Sequence, residues 1–294
     1  MARLPSLPPI RHPKRPAAPT PPGACDAHFH VFGPSKRFAF AESRAYTPED
    51  APLERVIEMH AALGIARGVA VQGNAHGTDN SAMIDAVKRF EGRLRGVGIV
   101  PVDTPASEIR QMRDAGVCAL RFHHIAGQMK STFSPLGVEA FLSLAPLMAE
   151  LDLHVQIMMD ASELPTVMPR LNEWKRPVVL DHYALAKASE GIAGAGFQAV
   201  CRYLSEGRIW VKLSGAYRIS DAYPDYPDVK PMHEALIKAN PDQLLWGSDW
   251  PHPRLAENMP DDGHLLDLFN AWTPDEALRR RILVSNAERL YGFA

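Results

Sequence analysis

The chain has few cysteines, a nearly balanced charge and no long hydrophobic segment. Its 294 residues include only Cys25, Cys118 and Cys201, without a C-x-x-C pattern, which predicts buried free thiols in a reducing cytoplasm. The net charge of −2 gives no field that would attract nucleic acid or an anionic membrane. No apolar run approaches the ~20 residues needed to span a bilayer. These absences predict a cytoplasmic protein with neither a nucleic-acid nor a membrane partner.

The first 24 residues differ in composition from the rest of the chain. Eight of them are proline and four are lysine or arginine, and they contain no apolar core of the kind that a secretory signal needs. Proline-rich chain favours the extended polyproline conformation. We therefore predict an arm over residues 1–24 that lies on a neighbouring surface, followed by a single domain over residues 25–294.

Strand-like and helix-like segments alternate after the arm. Eight short apolar runs are each followed by a segment of helical composition, which is typical of a parallel sheet buried on both faces. Length and order together predict an α/β fold, a distorted (β/α)8 TIM barrel. The alternative, an open doubly wound sheet, normally carries a glycine-rich phosphate turn after its first strand, and Val31-Phe32-Gly33-Pro34 stands there. The predicted strands are Cys25–Val31, Gly68–Gln72, Gly96–Val102, Val117–Phe122, Leu153–Met159, Pro177–Leu180, Ile209–Leu213 and Leu244–Trp246.

Polar side chains gather at the C-terminal ends of six of these strands, where such barrels carry their chemistry. His28 and His30 are two residues apart, so on a strand both project to one side, as a metal-ligand pair or as donors to a polarised carbonyl. His123 and His124 are adjacent, so only one of them faces the lumen. His154 begins a strand and is interpreted as structural. The polar strand-end residues are His28 and His30; Gln72, Asn74 and His76; Arg121, His123 and His124; Asp181 and His182; Lys212, Ser214, Tyr217 and Arg218; and Ser248, Asp249, Trp250 and His252.

Three short motifs follow one another along the chain. They are His28-x-His30, Leu180-Asp181-His182 and the segment Trp246–His252, and together they resemble the amidohydrolase superfamily. The longer stretches Pro22–Pro34 and Gln72–Asn80 are similar to its 2-pyrone-4,6-dicarboxylate lactonase group, which includes sulfomuconolactone hydrolases and D-galactarolactone isomerases. The resemblance covers nearly the whole chain after the arm. It implies a distorted (β/α)8 barrel and lactone hydrolysis.

The resemblance also implies roles for individual residues. Asp249 would be the general base that activates water, and His28, His30 and His182 would polarise the lactone carbonyl. The positions that match the lining of the substrate pocket are Tyr46, Asn74, His76, Arg121 and Arg218.

Three positions depart from the dicarboxylate lactonase pattern. Two further arginines of that pattern appear as Gly127 and Leu185, and a pocket tyrosine appears as Met158. Because arginine forks are the usual device for binding carboxylates, their loss argues against the pyrone dicarboxylate itself. We predict a small lactone with fewer acidic groups, held by Arg121 or Arg218, from the catabolism of aromatic or sugar acids.

The metal content is a separate question. The resemblance implies that a binuclear site needs a bridging lysine or glutamate on the fourth strand and a histidine ending the fifth, and neither is present. His28, His30, His182 and Asp249 would suit a single zinc ion with an open position for water. The lactonase resemblance implies a metal-free reaction, in which the imidazoles act as donors toward the developing oxyanion, and this is the preferred interpretation.

The sequence leaves other functions open. A lactone isomerase could use the same site, with a substrate hydroxyl in place of water as the nucleophile. A mononuclear zinc-dependent decarboxylase or amide hydrolase is a further alternative, and a non-catalytic binding barrel is another. The oligomeric state is expected to be monomer or homodimer.

Overall fold

The computed structural model describes residues 4–125 and 137–293, and this part of the chain contains one sheet of eight parallel strands. Each strand pairs with the next in sequence, from β1–β2 to β7–β8. The predicted (β/α)8 barrel is confirmed. The strands are β1 Cys25–Phe29, β2 Arg67–Val71, β3 Leu94–Gly98, β4 Val117–His124, β5 His154–Met159, β6 Val178–Leu180, β7 Trp210–Leu213 and β8 Leu244–Trp246.

Helices follow the strands and cover the outside of the sheet. None of the helices in the described ranges is long and apolar enough to cross a membrane. A π-helix, Arg281–Ser285, separates the last two α-helices. The α-helices are α1 Leu53–Leu63, α2 Ser81–Arg89, α3 Ala106–Asp114, α4 Val138–Glu150, α5 Leu164–Val167, α6 Ala195–Ser205, α7 Lys230–Ala239, α8 Asp262–Trp272, α9 Glu276–Arg280 and α10 Asn286–Tyr291.

Two boundaries differ clearly from the predicted ones. The third strand, predicted at Gly96–Val102, lies at Leu94–Gly98. It includes Arg95, whose guanidinium donates to the carbonyl oxygens of Tyr291 and Gly292 beneath the barrel. The closing helical segment, Glu276–Tyr291, is divided into α9, the π-helix and α10. Local composition does not show that a charged residue lies in a strand when its partners are distant in sequence. It also does not show where an α-helix is interrupted by a π-helix.

The first strand is shorter than predicted, and its end helps to close the barrel. It stops at Phe29, not at Val31. In the described sheet β1 and β8 share no ladder pairing, and the chain segments just beyond β8 make the connection instead. The backbone N–H of Asp249 donates to the oxygen of His28 at 2.8 Å, and that of His30 donates to the oxygen of Trp250 at 2.7 Å. We call these two hydrogen bonds the seam.

Asp26 and Gly247 make this close approach feasible. One carboxylate oxygen of Asp26 accepts the backbone N–H groups of His28 at 3.0 Å and of Ser248 at 2.9 Å. The other oxygen accepts the Ser248 hydroxyl at 2.5 Å. A Cβ atom at Gly247 would lie 2.7 Å from the Cβ of His28, so a larger residue would force the seam apart. The acidic residue of the Asp26-x-His28 motif thus binds the two ends of the sheet together.

Apolar side chains fill the barrel below the site. A cluster that includes Val69, Val97, Val179 and Leu245 occupies the interior, with Tyr291 of α10 packed against it. His154, at the start of β5, is buried with its ring centroid 5.6 Å from that of Tyr291. This position at the N-terminal end of the barrel agrees with the structural role predicted for His154.

Two buried histidines outside the site predict sensitivity of the fold to acid. Burial lowers the pKa of His154 and of His233 to about 3, whereas histidines of the unfolded chain bind protons below about pH 6.5. The free energy of unfolding therefore falls as the pH drops from 6.5 toward 3, by up to about 1.4 kcal/mol per pH unit for each histidine. We expect urea denaturation to show a smaller decrease between pH 7 and 5 for His154→Leu than for the wild type. Equal decreases would contradict this assignment.

The arm lies along the barrel from its C-terminal mouth to α8. At the mouth, the backbone N–H of Leu4 donates to the oxygen of Ala45 at 2.8 Å, and that of Leu7 donates to the oxygen of Leu255 at 2.8 Å. Further along, the backbone N–H of Lys14 donates to the Asp261 carboxylate. The arm therefore connects two loops of the mouth with the outer helices.

Candidate active site

The four side chains predicted to be catalytic meet at the C-terminal end of the barrel. One oxygen of Asp249, Oδ1, lies 3.3 Å from Nε2 of His30, 3.7 Å from Nε2 of His28 and 3.8 Å from Nε2 of His182. All four side chains are buried. Three imidazole nitrogens from the ends of β1 and β6 thus converge on one carboxylate oxygen that follows β8.

Unusual backbone conformations aim two of these side chains. Asp249 has φ of 61° and His182 has φ of 51°, in the left-handed region that costs an L-residue roughly 1–2 kcal/mol. His182 begins a run of four positive-φ residues that ends at Leu185. Such backbone strain persists where surrounding contacts enforce it and clusters at functional sites. For Asp249 the enforcing contact is the seam.

The second carboxylate oxygen of Asp249 has two donors from the segment after β7. The Tyr217 hydroxyl donates to Oδ2 at 2.6 Å, and Nε of Arg218 donates to it at 2.5 Å. Burial opposes ionisation of Asp249, but the Arg218 guanidinium on Oδ2 holds its pKa well below the usual range. Burial and the nearby Asp249 charge raise the pKa of Tyr217, which keeps its proton and donates it. Asp249 is therefore an ionised, fixed carboxylate.

The contacts of the Nδ1 atoms determine which ring nitrogen of His28 and His30 faces Asp249. Nδ1 of His30 lies 2.9 Å from the backbone oxygen of Val71, which only accepts, so Nδ1 carries the proton. Nδ1 of His28 lies 3.1 Å from the Asp181 carboxylate. Burial lowers the pKa of His28 well below its usual range and that of His182 to about 3. Nε2 is therefore the ring nitrogen of His28 and of His30 that faces Asp249.

This arrangement fits a bound cation. A cation between Nε2 of His30 and Oδ1 of Asp249, which lie 3.3 Å apart, would be attracted by the carboxylate charge. Within the described ranges, Nε2 of His28 and Oδ1 of Asp249 have no hydrogen-bond partner. The ligand atoms of His28, His30 and Asp249 lie within 4.8 Å of one another. Metal-binding histidines typically donate their other ring N–H to a carboxylate or carbonyl, as His30 does to the Val71 oxygen.

Asp181 supports the site from below. Its carboxylate accepts from Nε of Arg121 at 2.9 Å and lies 3.6 Å from Nζ of Lys212, in addition to its contact with His28. Lys212 is fully buried and donates to Oε1 of Gln156 at 2.7 Å. Burial lowers the pKa of Lys212 to about 8. Lys212 is thus buried with polar partners, and Asp181 holds the ring of His28.

Of the residues predicted to line the pocket, Arg121 and Arg218 pair with the aspartates of this centre, and Tyr46 lies within electrostatic reach of Asp249. Arg121 and Tyr46 are buried at the mouth, and burial raises the pKa of Tyr46 to about 12. Asn74 begins a short 3-10 helix that ends at His76. Nε2 of His76 accepts from the backbone N–H of Gly33, and Nδ1 lies 3.0 Å from the Ala39 oxygen. Because both nitrogens are engaged, we expect His76 to position the loops and not to bind substrate.

Sequence reasoning did not assign roles to two further pocket residues. His123 is on the same face of β4 as Arg121, two residues away, and burial lowers its pKa to about 3. Its ring nitrogens have no hydrogen-bond partner among the described residues. Arg254 directly follows the segment Trp250–Pro253, and this adjacency is the sequence feature that could have identified it as a pocket residue. Gly127, one of the departures from the lactonase pattern, lies outside the described residues.

Comparison with known proteins agrees with this geometry. The chain is 38% identical over 292 residues to 4-sulfomuconolactone hydrolase of Rhizobium radiobacter, with 97% of each chain covered. It is 36% identical to 2-pyrone-4,6-dicarboxylate hydrolase of Comamonas testosteroni, covering 95% of this chain and 93% of that one. The apo crystal structure of an Agrobacterium tumefaciens protein matches with a TM-score of 0.81 at 26% identity, over 95% of this chain and 99% of that one. The family model described as Amidohydrolase matches residues 25–293, and the chain therefore belongs to the amidohydrolase family.

Proposed function

We propose that this protein is a hydrolase that opens the ring of a small acidic lactone. The observation that carries the proposal is the convergence of three imidazole nitrogens on one oxygen of Asp249, whose other oxygen is fixed by Tyr217 and Arg218. The similarity to two enzymes named for lactone or pyrone hydrolysis supports the reaction class.

Asp249 acts as the general base. It accepts a proton from water while the water oxygen attacks the lactone carbonyl carbon, and it then returns the proton to the ring oxygen as the ester bond breaks. Tyr217 and Arg218 hold the carboxylate so that Oδ1 faces the water. Arg121 and Arg218 orient an acidic group of the substrate, since each guanidinium has N–H groups beyond the Nε that bonds an aspartate.

The residues of this centre would hold a single zinc ion through His28, His30, His182 and Asp249. When bound, zinc would polarise the carbonyl and lower the pKa of a coordinated water toward about 7. This revises the metal-free preference drawn from the sequence. Nδ1 of His30 is directed at the Val71 oxygen, so Nε2 is the ring atom that would face a metal ion beside Asp249.

The test is a panel of lactones that includes 4-sulfomuconolactone, muconolactone and 2-pyrone-4,6-dicarboxylate, followed by proton release at constant pH. Reactions in water enriched in oxygen-18 separate hydrolysis from isomerisation. A hydrolase places one solvent oxygen in the product carboxylate, whereas an isomerase that uses a substrate hydroxyl places none. Absence of turnover across the panel would contradict the proposal.

A further inference from the structure

Arg254 lies at the mouth of the site, beside Arg218. The guanidinium of Arg218 contacts the backbone oxygen of Pro253, the residue before Arg254, at 3.4 Å. Arg254 has φ of 70°, and its backbone N–H donates to the Ser6 hydroxyl at 3.2 Å. The arm and the loop after β8 thus fix the position from which this side chain extends.

The charges at the mouth do not balance. Arg121 pairs with Asp181, and Arg218 pairs with Asp249. Arg254 forms no ion pair with any acidic group in residues 4–125 or 137–293, and its Nε is enclosed by protein there without a hydrogen-bond partner. Leaving a buried N–H of a charged group unsatisfied is costly. Among the described residues, the mouth therefore contains three guanidinium groups, those of Arg121, Arg218 and Arg254, but only two carboxylates that pair with them.

The groups around Arg254 also favour the binding of an anion beside it. Burial and repulsion from Arg218 lower the pKa of Arg254, against the influence of Tyr46. Arg254 also contributes to the lowered pKa of His123, which places His123 within its electrostatic reach. A negatively charged group between the two arginines would relieve the repulsion and satisfy the unpaired donors.

We propose that Arg254 and the free edge of Arg218 form a second anion-binding subsite, which takes a carboxylate or sulfonate carried by the lactone. The inference deepens the proposed function and rests on it for the nature of the substrate. The first acidic group lies toward Arg121, on the β4 side of the mouth. The substrate class is then a lactone with two acidic groups, in contrast to the single group favoured by the loss of arginines at positions 127 and 185.

The first test compares two lactones that differ in one acidic group. We expect Arg254→Ala to lower kcat/KM for 4-sulfomuconolactone by at least about 10-fold, because a charge-assisted bond is lost. The value for muconolactone, which lacks the sulfonate, should change by less than about 2-fold. Arg254→Lys should retain part of the effect, since it keeps the charge but not the planar fork. Equal losses for both lactones, or no loss for either, would overturn the subsite.

A binding experiment separates failure of the subsite from failure of the lactonase proposal. Calorimetric titration of the wild type with isophthalate and with benzoate compares two carboxylates with one on the same ring, without any turnover. Isophthalate should bind about 10-fold more tightly, and Arg254→Ala should remove that difference. A difference that persists in Arg254→Ala, or one absent from the wild type, would refute the subsite even if lactones are hydrolysed.

The control variant is Arg113→Ala. Arg113 is exposed on α3, so its loss changes the net charge by the same amount without touching the mouth. It should leave the isophthalate preference unchanged. Thermal unfolding of Arg254→Ala at the wild-type midpoint would show that the fold is retained.

Discussion

Asp249→Asn is expected to lower kcat at least about 1,000-fold, the scale of a lost general base. The amide has almost the same shape as the carboxylate, but it cannot accept a proton from water. Asparagine also tolerates the left-handed conformation that this position requires. The seam uses only the backbone N–H of Asp249, so the closed barrel should persist. Proton release with a lactone identified by the panel measures the effect.

The control for this variant is Asp221→Asn, an exposed aspartate on the loop after β7. It removes the same charge away from the site and should leave kcat within about 2-fold, as is usual for surface substitutions. If Asp249→Asn retained near-normal turnover with an unchanged unfolding midpoint, Asp249 would not be the base.

The second large effect concerns the metal. We expect the purified protein to contain about one zinc per chain, as for a mononuclear catalytic site, and treatment with a chelator to abolish turnover until zinc is restored. His30→Gln removes a lone pair that faces Asp249 and should reduce the zinc content to a small fraction of the wild-type value. The zinc content per chain is measured by mass spectrometry, and this measurement does not depend on a substrate.

His264→Gln is a matched control, because His264 is partly exposed on α8 and contacts Asp225 away from the site. Its zinc content should equal that of the wild type. Turnover by metal-free protein at the full rate would refute the zinc assignment. It would then favour the interpretation drawn from the sequence, in which the imidazoles act as donors toward the developing oxyanion.

The fold could be predicted because the strands are buried on both faces. Each of the eight strands includes buried apolar residues that mark it in the sequence, and β8 has the predicted bounds Leu244–Trp246. The errors fall where long-range contacts override local composition. Arg95 looks like a loop residue but lies in β3, since it has acceptors beneath the barrel.

The site could be predicted only in part, for a related reason. The order of strands in a barrel brings their C-terminal ends together, so the proximity of His28, His182 and Asp249 follows from topology. Which nitrogen carries the proton, and which arginine is left without a carboxylate, depends on partners far away in sequence. His76 illustrates this limit, because its two nitrogens are engaged by Gly33 and Ala39.

The seam has a consequence for how the protein acquires its activity. The residues it joins are remote in sequence, and the contact of Asp26 with Ser248 spans 222 positions. Contacts of such separation are slow to form, because loop closure must precede them. A chain with seven strands assembled would hold imidazoles but no base. Recovery of catalysis during refolding should therefore coincide with the docking of the last strand on the first.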